Sequence, residues 1–242
     1  MFLGASNFNQ NIGGWNVSNV QNMENMFNSA TMFDNGGAAL AWSTGTGTEN
    51  VTDMSGMFFG TPFNQNISTW DVSRVKQMDG MFASTAEFDQ DISIWVTDSV
   101  TRMDGMFDNA VKFNQDMSAW NVGQVTDMTS MFNGAVLFNQ NLGNWDISSI
   151  TAPNSMENML DGSALSIANY DSTLIGWATL DLAGGESQIP TGISLDASNL
   201  QYCNGASARA SLVGAGWAIN GDNLNCSATA FITTWQTTDG QI

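Results

Sequence analysis

The chain has 242 residues, a net charge of −18 and five basic side chains, Arg74, Lys76, Arg102, Lys112 and Arg209. That balance excludes nucleic acid, which needs a basic footprint, and disfavours an anionic membrane surface. Histidine is absent, which removes the commonest general base, the Ser-His-Asp triad and most catalytic zinc sites. Aromatic residues and Met are too abundant for a disordered acidic tail, and no run of 18 apolar residues is present to span a bilayer.

From the first residue the chain repeats itself. Met-Phe stands at 1–2, 26–27, 57–58, 81–82, 106–107 and 131–132, so successive copies are 25, 31, 24, 25 and 25 residues apart. Trp recurs at 15, 42, 70, 95, 120 and 145, and Phe-Asn-Gln at 8–10, 63–65, 113–115 and 138–140, with Phe88-Asp89-Gln90 a near copy. A fixed period of this length predicts an α/β repeat solenoid of leucine-rich-repeat type, because one unit is too small to hold a core and must stack on its neighbours. The long interval contains the Gly/Thr stretch Ser43–Asn50, read as a loop bulging from one side. Met1 is the Met of a repeat, so the chain is read as beginning inside an array, as part of a longer secreted protein.

Within each unit, Val100, Met103, Met106/Phe107 and Ala110 are spaced as one apolar stripe of a helix, and Val125, Met128, Met131/Phe132 and Ala135 repeat it. Ser18, Ser73, Asp98, Gly123 and Ser148 precede these stripes as N-cap types. Glu24, Asp53, Asp79, Asp104 and Asp127 then fall in the first two turns, where the helix dipole favours negative charge, and are read as structural. The other half-repeat alternates: Phe113, Gln115 and Met117 against Asn114 and Asp116, which predicts one short parallel strand per unit. Phe, Ile and Trp point inward, Trp as core rather than as an exposed sugar-stacking ladder. The glutamines at 10, 65, 90, 115 and 140 pair with one another along the axis or with nearby loop backbone.

The outward strand positions form two columns, Asn64/Asn66, Asp89/Asp91, Asn114/Asp116 and Asn139/Asn141, with Asn9/Asn11 at the start. These eight residues from Asn64 to Asn141 are the candidate ligand-binding face, suited to hydrogen-bonding a glycan. No cofactor is expected; Ca²⁺, with its oxygen ligands, is the one ion such columns suit. The plain alternative is a solvated face whose amides pair along the column.

The pattern slips at Thr151-Ala152-Pro153 and ends near 162. Residues 163–228 read as a C-terminal cap, with helices around Ala168–Ala178 and Ala206–Leu212. Cys203 and Cys226 are the only cysteines, lack metal-ligand spacing and suit a disulfide in an oxidising compartment. Residues 229–242, with Phe231–Trp235, read as the start of a following module or a linker.

The combined pattern Phe-Asn-Gln-x-Ile-x-x-Trp-x-Val-Ser-x-Val-Thr-x-Met-x-x-Met-Phe resembles the BspA-like leucine-rich repeat family of bacterial surface proteins over about residues 1–160. Asn169-Tyr170-Asp171, Leu174–Trp177, Tyr202-Cys203, Ala208–Ala210 and Gly216-Trp217 look like the closing segment that follows such repeats in multi-module proteins of marine Bacteroidetes. The resemblance implies a non-enzymatic, extracellular recognition or adhesion module that binds host or neighbouring-cell proteins or glycans. A structural spacer or filament subunit, associating end to end, is the other reading. A hydrolase would need paired carboxylates in a cleft, and here the acids follow the repeat period.

Overall fold

The computed structural model describes residues 1–42, 47–182 and 186–226; the tail from 227, including Phe231–Trp235, and part of the insert after Trp42 lie outside the described residues. Over residues 1–160 each repeat forms one layer that rests on the next. The Met-Phe dipeptide is the joint. Each Phe N–H donates to the Met carbonyl one layer on: Phe2 to Met26 at 2.7 Å, then Phe27 to Met57, Phe58 to Met81, Phe82 to Met106, Phe107 to Met131 and Phe132 to Met159, all at 2.9 Å.

The stripe over Val100–Ala110 does not build a helix. Its N–H groups are used alternately. Those of Met106, Asp108 and Ala110 close four-residue turns onto Met103, Gly105 and Phe107, while those of Met103, Gly105, Phe107 and Asn109 cross to carbonyls of the next layer, at Asp127, Thr129, Met131 and Asn133. Two residues four apart are left-handed in every layer: Asn25 and Ser29, Gly56 and Gly60, Gly80 and Ser84, Gly105 and Asn109, Ser130 and Gly134. A right-handed helix cannot pass through such residues, and Gly and Asn are the types that tolerate them. Successive turns return every third residue to the same face, which imitates helical spacing. The positions read as N-caps, such as Ser18 and Ser73, sit in turns, and among the described residues before Ile167 the one helical segment is the 3-10 turn Asn35–Gly37.

The strand expected over Phe113–Met117 likewise has no backbone ladder of its own. Parallel bridges fall instead on the turn ribbon, linking Asn22 to Asp53, Gln77, Arg102 and Asp127 in succession. The interior is a double column of phenylalanines. Phe27 and Phe33 stack at 3.8 Å, Phe82 and Phe88 at 3.9 Å, Phe107 and Phe113 at 3.9 Å, and each pair lies 5.7 to 6.2 Å from its neighbour along Phe82–Phe107–Phe132 and Phe88–Phe113–Phe138. Trp42, Trp70, Trp95, Trp120 and Trp145 are buried, as are the Met columns. Each of these Trp Nε1–H groups donates to a carbonyl one layer back, on Ile12, Leu40, Ile67, Ile92 and Met117 respectively.

Beyond residue 160 regular elements take over: α1 (Ile167–Trp177), β1 (Ser194–Asp196), β2 (Gln201–Tyr202), α2 (Ala206–Gly214), β3 (Ala218–Asn220) and β4 (Asn223–Leu224). β1 pairs in parallel with β3, and β2 with β4. The ribbon runs into this sheet through the bridge from Met156 to Leu195. α1 occupies the place of the next Phe-to-Trp arm. Its Trp177 Nε1–H donates to Leu142 O as the earlier tryptophans do, and Gly176 packs on the backbone of Gly143 with no room for a Cβ.

The second helix is tied to the first by Asp171, a buried carboxylate that accepts the backbone N–H groups of Cys203, Asn204 and Gly205 at 2.8 to 2.9 Å. Arg209 holds Asp222 through two hydrogen bonds at 2.6 and 2.7 Å, Tyr170 donates to the same carboxylate, and the guanidinium lies over the Tyr202 ring. Burial and the Asp222 charge push the Tyr170 phenol far above its ordinary value. Cys203 and Cys226 are joined by the expected disulfide, with their Cα atoms 5.0 Å apart.

Candidate functional site

The predicted face resolves into two columns with different duties. In the first, each side-chain oxygen reaches the next layer. Asn64 Oδ1 accepts the Asp89 N–H at 3.0 Å and the Gln90 amide at 2.9 Å. Asp89 Oδ1 accepts the Asn114 N–H and the Gln115 amide, and Asn114 Oδ1 accepts the Asn139 N–H and the Gln140 amide. The column extends to Asn9 and Asp34 at one end, and at the other Asn139 receives Ser166 and Asn169 of the cap. Gln65, Gln90, Gln115 and Gln140 therefore neither stack amide on amide nor bond only loop backbone; each donates to the Asn or Asp one layer back. Where strand backbones would pair, here an Asx side chain stands in for the missing carbonyl.

The second column turns inward on its own chain. Asn66, Asp91, Asp116 and Asn141 each accept the backbone N–H two residues on, at Ser68, Ser93, Ser118 and Gly143. These are Asx turns, which replace a backbone turn bond with a side-chain one. Asn16, Asp71, Asn121 and Asp146 do the same at the following corner, and Asp53 and Asp127 on the ribbon. The Ser93 hydroxyl and N–H hold the Asp91 carboxyl below its ordinary value. The recurrent spacing Asx-x-Ser/Thr/Gly is the signal in the sequence that identifies these turns.

Another opening along the layers lies over the turn ribbon. A groove of about 410 Å³ runs from Asn25 to Ser130 across the layers. Gly56, Gly80 and Gly105 lie along it, left-handed at φ +59°, +59° and +60°. Glu24, Asp79, Asp104 and Asp108 line it together with Phe59. Burial raises the Asp104 carboxyl, helped by Asp127 and Asp79 and opposed by Arg102, whose own value is raised chiefly by its hydrogen bond to Asp104. The sequence pattern places Glu24, Asp79 and Asp104 at helix N-termini; without a helix, they become walls of a surface channel, joined by Asp108.

Chemically the groove presents Glu24, Asp79 and the Asp104/Asp108 pair on three layers, with Ser55 and Thr129 on two others, so their charge is spread along an axis. Among the described residues no group of three or more Asp, Glu, Cys or His comes together to hold a metal ion, and no helix is long and apolar enough to cross a membrane.

Comparison with curated proteins and with solved structures returns no match. A family model does match, over residues 1–47 and 41–145, which covers most of the repeat layers. The chain therefore belongs to the repeat family described as "Mycoplasma protein of unknown function, DUF285".

Proposed function

We propose that this chain is a non-enzymatic recognition module of an extracellular bacterial surface protein, built as a leucine-rich-repeat-type solenoid of BspA-like character, which binds protein or glycan ligands along its layers. The supporting observation is the disposition of polar groups. Carboxylates and amides are distributed over successive layers along an open groove and the adjoining columns, an arrangement that offers extended surface and many weak contacts. Catalysis by paired carboxylates would need two acids facing one bond. The disulfide agrees with an oxidising, extracellular setting.

The test is a screen of the purified protein against glycans and matrix proteins, repeated with Asp79→Asn/Asp108→Asn. Saturable binding that the double variant weakens supports the reading. Absence of binding together with ordered end-to-end assembly would favour a structural spacer instead. Melting with and without Ca²⁺, with EDTA as control, is the companion measurement: a shift of many degrees would assign the ion to the folded state.

A further inference from the structure

Asparagine or aspartate precedes glycine at seven described positions, and the structure holds them unequally. Such a pair closes on itself with little hindrance, because glycine has no Cβ to keep its backbone nitrogen away from the neighbouring side-chain carbonyl carbon. Closure requires that this nitrogen be free of other duty. At five pairs it is engaged. Gly36 N–H donates to Asn9 Oδ1 at 2.8 Å, and Gly205 N–H to Asp171 Oδ1 at 2.8 Å. Gly80, Gly105 and Gly134 donate to Asp104 O, Thr129 O and Asp161 O at 2.8, 2.7 and 2.7 Å. The N–H groups of Gly162 and Gly221 have no partner among the described residues. Asp161, before Gly162, is a carboxylate with no amine to expel, and its Oδ1 holds the Ser198 N–H at 2.8 Å. Asn220, before Gly221, is an exposed amide at the last residue of β3. Asn204 is the informative control: its side chain is exposed as well, but the glycine N–H beside it is tied to a buried carboxylate.

We propose that Asn220–Gly221 is a spontaneous modification site, and that its conversion loosens the cap irreversibly. The Gly221 nitrogen attacks Asn220 Cγ and the Cγ–Nδ2 bond breaks. Nδ2 leaves as ammonia, taking up the proton that the glycine nitrogen gives to solvent, and a cyclic imide remains. Water then opens the imide at either carbonyl, leaving aspartate or isoaspartate at position 220. The Asn220 carbonyl accepts the Ala197 N–H at 2.9 Å, so the reaction proceeds when the end of this three-residue strand frays. The product matters because of what Asn220 touches. Its Nδ2 donates to Asp196 Oδ1 at 2.8 Å, and Asp196 Oδ2 accepts the Asn158 N–H of the last layer at 2.9 Å. Conversion replaces that donor with a second carboxylate facing the first across the β1–β3 pair, and like charges directly opposite destabilise a pair of strands. The inference does not depend on the adhesion reading.

The test incubates the folded protein in mildly alkaline buffer and follows all four Asn-Gly pairs by peptide mapping, with the denatured chain alongside. In the denatured chain the four should react at comparable rates. In the folded protein position 220 should convert about tenfold or more faster than Asn204, the worth of the hydrogen bond on Gly205 N–H. Asn35 and Asn133 should stay unconverted. Asn220→Gln should leave the folded protein without new charge over the same period. The aged protein and Asn220→Asp should both show faster hydrogen exchange in β1 and β3, with the repeat layers unchanged. Conversion of Asn204 or Asn133 as fast as Asn220, or no conversion at 220, would overturn the proposal. So would a converted protein whose cap exchanges as slowly as the fresh one.

Discussion

The repeat layers and the cap solve the same problem with different means. Both continue one ladder and one Trp-to-carbonyl bond, from Trp42 through Trp145 to Trp177. In the layers, half of the ribbon N–H groups close local turns and half cross to the neighbour, so neither a helix nor a continuous strand forms. In the cap, α1 and β1 carry the equivalent positions, and a disulfide and a buried ion pair hold the segment that follows. The difference teaches that repetition can replace regular secondary structure, since an identical neighbour meets every turn with a matching partner. The end of the stack lacks that neighbour and needs conventional elements.

The sharpest way to break this comparison is in the middle of the stack. Trp120→Ala removes a side chain 3% exposed and its bond to Ile92 O, and should cost about 3–5 kcal/mol in chemical denaturation. Retention of wild-type stability would mean that the ladder does not carry the core. In the cap, Asp222→Ala leaves the Tyr170 hydroxyl without its acceptor and Arg209 with Ile219 O alone. Because Arg209 is partly exposed, a loss of about 2–3 kcal/mol is expected, less than for a fully buried pair, and hydrogen exchange should localise it beyond residue 160. At the seam, Gly176→Ala drives a Cβ into Gly143 and should cost about 1–3 kcal/mol, read as earlier melting of the cap than of the layers.

The smallest effect compares two acids. Asp91 should titrate below the ordinary carboxylate value and Asp104 above it when followed by NMR. The signs of their contributions are opposite. Stability from Asp91 is present above the unfolded pKa and is lost as pH falls through the folded one. For Asp104 the folded state holds its proton more tightly, so stability declines as pH rises between the unfolded and folded values. A reversed order of the two titrations would contradict the Ser93 hydrogen bonds to Asp91 and the burial of Asp104.

Much of this arrangement is legible in the sequence, and some of it misleads. The 25-residue period locates the layers and the buried Trp, Phe and Met columns, while local apolar pattern marks both cap helices and the two cysteines mark the Cys203–Cys226 bridge, because each depends on a hydrophobic pattern or a pair of residues. The local conformation was obscured because a period of three, produced by linked turns, resembles the 3.6 of a helix over eleven residues. Gly56, Gly60, Gly80 and Ser84, four apart, are the corrective signal, since glycine at such intervals fits a left-handed requirement better than a helix interior. The Asn and Asp columns are visible as positions, but the first column's use as interlayer acceptors depends on the absence of a strand ladder, which single positions do not reveal. The groove over Gly80 and Gly105 emerges only once that ribbon is built.

The interlayer bonds also set how the molecule would respond to being pulled. They join successive layers along the stacking axis, so a load applied between the two ends would open them a few at a time, one layer after another, in the geometry of a zipper. Each released repeat of about 25 residues would pay out about 85 Å of chain. The stretch between Cys203 and Cys226 is covalently closed and would not lengthen with the rest. In a force spectrometer this chain should extend in evenly spaced, low-force steps and then stop short of its full contour until a reductant is added.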